Sequence, residues 1–195
     1  MRILKSAALL VLVALPAAGQ RQNTDNSFNW SGKVPAGRWI RVQDVNGNIT
    51  VGAASGDNVE VIATKRWRRG DPSVVRIENV KTNSAGDVLI CALWGEESSC
   101  DERGSRSHGR IHNNDVSVDF RVMVPKGVKV GVATVNGAVS VDGATAEVNA
   151  STVNGELEVA TTGGRVNASN VNGSVRARLG KVDSDGDMSF DTVNG

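Results

Sequence analysis

Cys91, Cys100, His108 and His112 are the residues of this chain best suited to hold a metal ion, and all lie in or beside one polar stretch. Zinc sites of the Cys2His2 kind pair their ligands at close spacing; here eight, seven and three residues intervene, which does not fit that pattern. The chain holds no other cysteine or histidine. In an oxidising compartment two such cysteines default to a disulfide, and closing a loop this short contributes roughly 2–3 kcal/mol. The expectation is a Cys91–Cys100 disulfide, solvated histidines and no metal.

Asp183, Asp185 and Asp187 gather around Gly186 in the manner of a calcium loop. The EF-hand pattern wants Gly at its sixth position and Glu at its twelfth, where this chain has Met188 and Asn194. The calcium β-roll signature Gly-Gly-x-Gly-x-Asp is met only by Gly163-Gly164, so neither calcium nor a cofactor is expected. Asp115 and Asp119 are the carboxylates that could cleave a glycoside, but with Ser117 they occupy the outward side of an alternating strand, where polar residues are ordinary. No Gly-x-Ser-x-Gly elbow or positioned serine accompanies the histidines, and the chain reads as a non-enzyme.

Lys65-Arg66-Trp67-Arg68-Arg69 is the one basic cluster, of a kind that stacks on bases or meets an anionic glycan or lipid. Asp71, Glu96, Glu97, Asp101 and Glu102 follow it and are expected to neutralise it, with Trp67 packed down. Arg69-Gly70-Asp71 spells an integrin-recognition tripeptide of a kind that arises often by chance. With 22 basic and 21 acidic residues overall, a nucleic-acid footprint is not indicated.

The elements that must position these residues begin after an export signal. Arg2 and Lys5 precede the apolar run Ala7–Leu15, and Ala17-Ala18-Gly19 offers a cleavage point ahead of Gln20. Residues 1–19 therefore read as a signal peptide, too short for a spanning helix of about 20 apolar residues, and no later stretch is long enough to span as a helix. Residues 20–27 read as a disordered leader and 28–195 as one domain. Val-rich segments broken by Gly, Asn and Asp make that domain all-β. Phe28–Trp39 suits an apolar lid. Ile40–Val45, Asn48–Val51, Asn58–Ala63, Ser73–Lys81, Asp87–Trp94 and Asp115–Val124 read as strands, and Gly95–Asn114 as a charged loop.

Val-Asn-Gly occurs five times, beginning at Val45, Val135, Val153, Val171 and Val193, and the middle three copies are 18 residues apart. Within that period Val130, Val139, Val148, Leu157, Val166 and Val175 fall every nine residues. Two architectures fit: a β-solenoid, β-helix- or β-roll-like, with two short strands per coil of about 18 residues stacked at about 4.8 Å, or an antiparallel meander or sandwich with Asn-Gly hairpins. Like-over-like stacking favours the solenoid over residues 128–195. It places Asn149 over Asn167, Ser151 over Ser169, Glu158 against Arg176 and Glu147 against Arg165, with Asp187 beside Arg165 in a last coil of 22 residues. Asn136, Asn154, Asn172 and Asn194 form an expected amide ladder at one corner, and Gly137, Gly155, Gly173 and Gly195 its bends. Val45–Val51 reads as a copy of Val135–Val141, and Glu60–Ala63 as a copy of Glu147–Ala150. The array stops at Gly195 on a turn, so the last coil is expected to continue or to associate end to end with another chain.

Phe28-Asn-Trp-Ser-Gly32, the run Val59-Glu-Val-Ile-Ala-Thr-Lys-Arg66, and Asn114-Asp-Val-Ser-Val-Asp-Phe-Arg-Val-Met-Val-Pro-Lys-Gly-Val128, closed by Thr-Val-Asn-Gly repeats, together resemble the bacterial adhesin-like β-strand-repeat family, a domain of unknown function. The resemblance spans nearly all of the mature chain. It implies a β-repeat fold on an exported protein and carries no catalytic residues. The function expected is an adhesin-like structural or binding module of the cell envelope, periplasmic or at the surface, meeting a protein or glycan on strand faces lined by Ser140, Glu158 and Arg176 and by Asn149 and Asn167. The alternatives are an envelope signalling or stress partner acting through loop 95–114, and a carbohydrate-active β-helix enzyme.

Overall fold

The computed structural model describes residues 26–81, 86–106, 114–181 and 186–195. The signal segment, all of the leader up to residue 25, His108, His112, Asp183 and Asp185 lie outside the described residues.

Sixteen strands make up the described fold: β1 (Ser27–Gly32), β2 (Trp39–Gln43), β3 (Ile49–Ala53), β4 (Val59–Arg66), β5 (Val75–Lys81), β6 (Val88–Trp94), β7 (Ser99–Asp101), β8 (Gly104–Arg106), β9 (Ser117–Val124), β10 (Lys129–Asn136), β11 (Val139–Ala144), β12 (Val148–Asn154), β13 (Leu157–Thr161), β14 (Val166–Asn172), β15 (Val175–Leu179) and β16 (Ser189–Asn194). One 3-10 turn, Pro72–Val74, separates β4 from β5. The strands build two open seven-stranded sheets, in the orders β1-β4-β9-β3-β11-β13-β15 and β16-β14-β12-β10-β2-β6-β5, and β7-β8 form a small hairpin. The fold is all-β, two mixed sheets on one core, and its two-layer build fits the sandwich alternative.

Alternation in the sequence explains the layering. In β9, Val118, Phe120, Val122 and Val124 point inward and are buried, while the residues between them face out. Val130 and Val132 of β10 meet Val139 and Val141 of β11 in the same core cluster, so successive nine-residue steps deliver apolar side chains from opposite sheets to a shared interior. In the C-terminal half the pairing is parallel. Val139 faces Leu157 and Leu157 faces Val175 in the first sheet; Val130 faces Val148 and Val148 faces Val166 in the second. β14 to β16 takes the longer step, Asn167 opposite Ser189. Antiparallel pairs are β1–β4, β4–β9, β5–β6 and β7–β8.

Three expectations need correction. Phe28–Trp39 is not a lid: β1 is the edge strand of the first sheet, Phe28 is buried, and the strand starts at Ser27, the last residue assigned to the leader. The match of Glu60–Ala63 to Glu147–Ala150 fails in space. β4 remains in the first sheet, antiparallel to β9, and does not cross to the second. The connector 54–58, longer than the link between β11 and β12, lets the chain reverse within one sheet, and β9 fills the place beside β3. The earlier match holds, with Asn46 bridging Asn136 and Ile49–Val51 paired to Val139–Val141.

β6 is buried on both faces. Val88, Ile90 and Ala92 enter the main core, while Leu89, Cys91 and Leu93 form a second cluster with Cys100. The expected disulfide Cys91–Cys100 is present, with the Cα atoms 6.1 Å apart. It fastens the β7-β8 side of the charged loop over β6, and Ser105 N–H donates to Gln43 Oε1 at 2.6 Å. Among the described residues no helix is long and apolar enough to cross a membrane.

Candidate binding faces

The corners between the two sheets are held by amides. Asn154 Nδ2 donates to Asn136 Oδ1 at 2.8 Å, Asn172 to Asn154 at 2.8 Å, and Asn194 to Asn172 at 3.0 Å. The glycines beside them are required by close approach as much as by bend. Gly47 and Gly173 adopt left-handed φ of 143° and 135°. Gly137 and Gly155 do not, yet a Cβ on either would overlap the carbonyl of the preceding corner glycine, Gly47 or Gly137. The bend expected at Gly155 therefore rests on close approach and not on a left-handed φ.

Just inside each corner runs a polar column that the sequence reading missed, buried from Asp44 to Asn170 and exposed at Thr192 in the last strand. Thr134, Thr152 and Thr192 hydroxyls donate to the carbonyls of Gly47, Gly137 and Gly173, and Asn170 Nδ2 donates to that of Gly155. Asp44, in register before Thr134, begins the column, buried and with neither carboxylate oxygen hydrogen-bonded. Burial pushes its carboxyl up to about 7; the nearby Val45 and Asn46 amides oppose this without well-formed bonds, and the charge of Asp119 adds to it. The sequence carried a signal for it: a carboxylate at an inward position of Ile40-x-Val42-x-Asp44.

Ser140, Glu158 and Arg176 stand in register on the outer face of the first sheet, and Asn149 and Asn167 on the outer face of the second. They thus mark two opposite surfaces. The charge pairs on the first are diagonal: Arg178 pairs with Glu158, and Arg176 reaches Glu156 at 3.6 Å. On the second, Asn167 Nδ2 donates to Asn149 Oδ1 at 2.9 Å, and Glu147 accepts from Lys129 at 2.9 Å and Arg165 at 3.3 Å. Burial works against the Glu147 carboxylate, but Lys129 and Arg165 outweigh it and hold the group below its usual range. Arg165 pairs with Glu147 and not with Asp187 among the described residues. Trp39 is stacked under two cations, Arg41 at 4.9 Å and Lys129 at 5.4 Å from its ring centre. A shallow hollow of about 320 Å³ beside it is lined by Arg41, Gln43, Gly131, Asn149, Ser151 and Ser169.

A larger groove, about 590 Å³, runs over the first sheet between Asn48, Thr50, Thr64, Arg66, Arg121 and Met123. At its Arg66 end lies the basic loop. Asp115, one of the two candidate catalytic carboxylates, accepts the backbone N–H groups of Arg68 at 3.2 Å, Arg69 at 3.2 Å and Gly70 at 2.8 Å, and these bonds hold it below the usual carboxylate range. Asp119, the other, accepts from Arg66 at 2.7 Å and from Asn48 N–H at 3.0 Å. Asp71 of the Arg-Gly-Asp tripeptide is turned back on its own chain by Ser73 N–H at 2.8 Å. The expected neutralisation of the basic cluster is met only in part: Asp71, held by Ser73, interacts with the charge of Lys65, while Asp101 faces Arg106 at 3.7 Å, and Trp67 is 38% exposed instead of packed down. No group of three or more metal-ligating side chains occurs among the described residues.

No protein-family model matches the chain, and no curated protein matches it. Among solved structures it is similar to a candidate cell adhesion protein from Clostridium sporogenes, at 11% identity and a TM-score of 0.46 over 83% of this chain and 74% of that one.

Proposed function

We propose that this chain is a non-enzymatic β-solenoid exported to the bacterial cell envelope, where it serves as an adhesin-like binding module for a glycan or protein. One observation carries the reading: outward side chains recur in register on stacked parallel strands, Ser140–Glu158–Arg176 on one face and Asn149–Asn167–Ser189 on the other, over an interior closed by apolar columns. Such stacking fixes rows of donors and acceptors at strand spacing, and a preorganised surface loses little freedom on binding. The disulfide and the basic-apolar-small start of the sequence support export. Against catalysis, Asp115 and Asp119 are both engaged, one by three backbone amides and one by Arg66, which leaves neither poised as an acid or a nucleophile.

The test is a glycan array probed with the mature chain and with a Glu102→Ala/Arg103→Ala variant of the exposed hairpin tip. Binding that is unchanged in the variant supports the strand faces. Binding that disappears in it transfers the function to loop 95–114, the signalling alternative.

A further inference from the structure

We propose that the groove over the first sheet, together with the arginine loop at its end, is a binding surface for a carboxylated polysaccharide. This inference rests on the binding-module reading and names its ligand class and its place.

The loop is built to hold its side chains outward. Asp115 already fills the nest of amides from Arg68 to Gly70, and Lys65 Nζ spans the loop to Pro72 O at 2.9 Å. With the backbone fixed by these contacts, Arg66, Trp67, Arg68 and Arg69 are all exposed. The guanidinium groups of Arg68, Arg69 and Arg121 have no ion-pair partner among the described residues, and only Arg66 is matched, by Asp119. The Asp115 carboxylate in the amide nest and Asp71 beside Lys65 offset part of this charge, and the surface stays positive on balance. Glu60, exposed at the far end of β4, marks its limit.

The spacing indicates a polymer. Arg121 faces Ile62 in the register, four residues along β4 from Arg66, about 13 Å at strand rise, which an extended chain spans and a small anion does not. Between these cations the walls offer Asn48, Thr50 and Thr64, suited to hydroxyl groups. Trp67 provides one flat ring beside three arginines, which suits a sugar face next to carboxylates. A membrane surface fits less well, because the site is a concave groove whose exposed Ile62 and half-buried Met123 lie among Asn48, Thr50 and Thr64 and form no continuous apolar face.

The experiment measures binding of the full chain to polygalacturonate, with its fully methyl-esterified form as the neutral comparison. The variants are Arg68→Ala/Arg69→Ala, Arg121→Gln, and, as a control that removes one charge away from the groove, Arg103→Ala. The loop variants keep the backbone amides that hold Asp115, and thermal melts confirm that they fold. We expect binding to the acid form only, weakened roughly tenfold or more in Arg68→Ala/Arg69→Ala, as loss of two charge-assisted contacts implies. Arg121→Gln should weaken it several-fold and Arg103→Ala should leave it unchanged. Equal loss in Arg103→Ala, undiminished binding in the loop variant, or binding to anionic phosphatidylglycerol vesicles in place of polygalacturonate overturns the proposal. Should the chain bind neutral glycans or envelope proteins but not polygalacturonate, this inference fails and the binding-module reading stands. Binding to none of them removes both.

Discussion

Asp44 occupies the place in the inner column that threonine occupies at 134, 152 and 192. A threonine there satisfies the carbonyl of the preceding corner; an ionised carboxylate has nothing to donate, and burial costs it its hydration. Because its carboxyl is raised from 3.8 to about 7, the folded chain takes up a proton that the unfolded chain gives away. Stability should thus fall as pH climbs from about 4 to about 7 and level off above, by an amount of the order of 4 kcal/mol. Asp71, Asp115 and Glu147, whose carboxyls are lowered, act with the opposite sign and at pH values below that window. Urea unfolding of the wild type and of Asp44→Asn at pH 5 and pH 8 checks this: the slope should be present in the first and largely gone in the second. A wild type as stable at pH 8 as at pH 5, relative to Asp44→Asn, contradicts it.

At the scale of elements, the corners decide how closely consecutive turns of the chain can approach. Gly155→Ala should be nearly as harmful as Gly155→Val, about 3 kcal/mol or more, because the first carbon added already overlaps the Gly137 carbonyl. Gly37→Ala, at φ 79° in open space, should cost only about 1–2 kcal/mol. Denaturation midpoints separate the two; a well-tolerated Gly155→Ala would mean that the corners are not held by close approach. These elements also show what the sequence could and could not convey. The Val-Asn-Gly period revealed the corner residues and their register, since identical side chains recur wherever identical neighbours stack. It did not reveal the steric role of Gly155, because a glycine required by contact and one required by φ look alike in sequence. Nor did it place β4, whose alternation suits either sheet; the choice was made by the connector 54–58 and by pairing with β9, far away in the chain. The arginine loop was visible as a charge cluster, but the exposure of Arg68 and Arg69 depended on where Asp71 and Asp101 turned.

At the scale of the whole molecule, two open sheets close one interior and leave two broad polar surfaces. These surfaces are proposed to bind a ligand and not to convert it. The most direct measurement follows a polysaccharide that the chain binds, recording saturation by calorimetry and product formation by chromatography in the same mixture, for the wild type and for Asp119→Asn. Saturable binding with no product in either protein is the expected result. Turnover by the wild type that Asp119→Asn abolishes would contradict it and make the outer groove an active site.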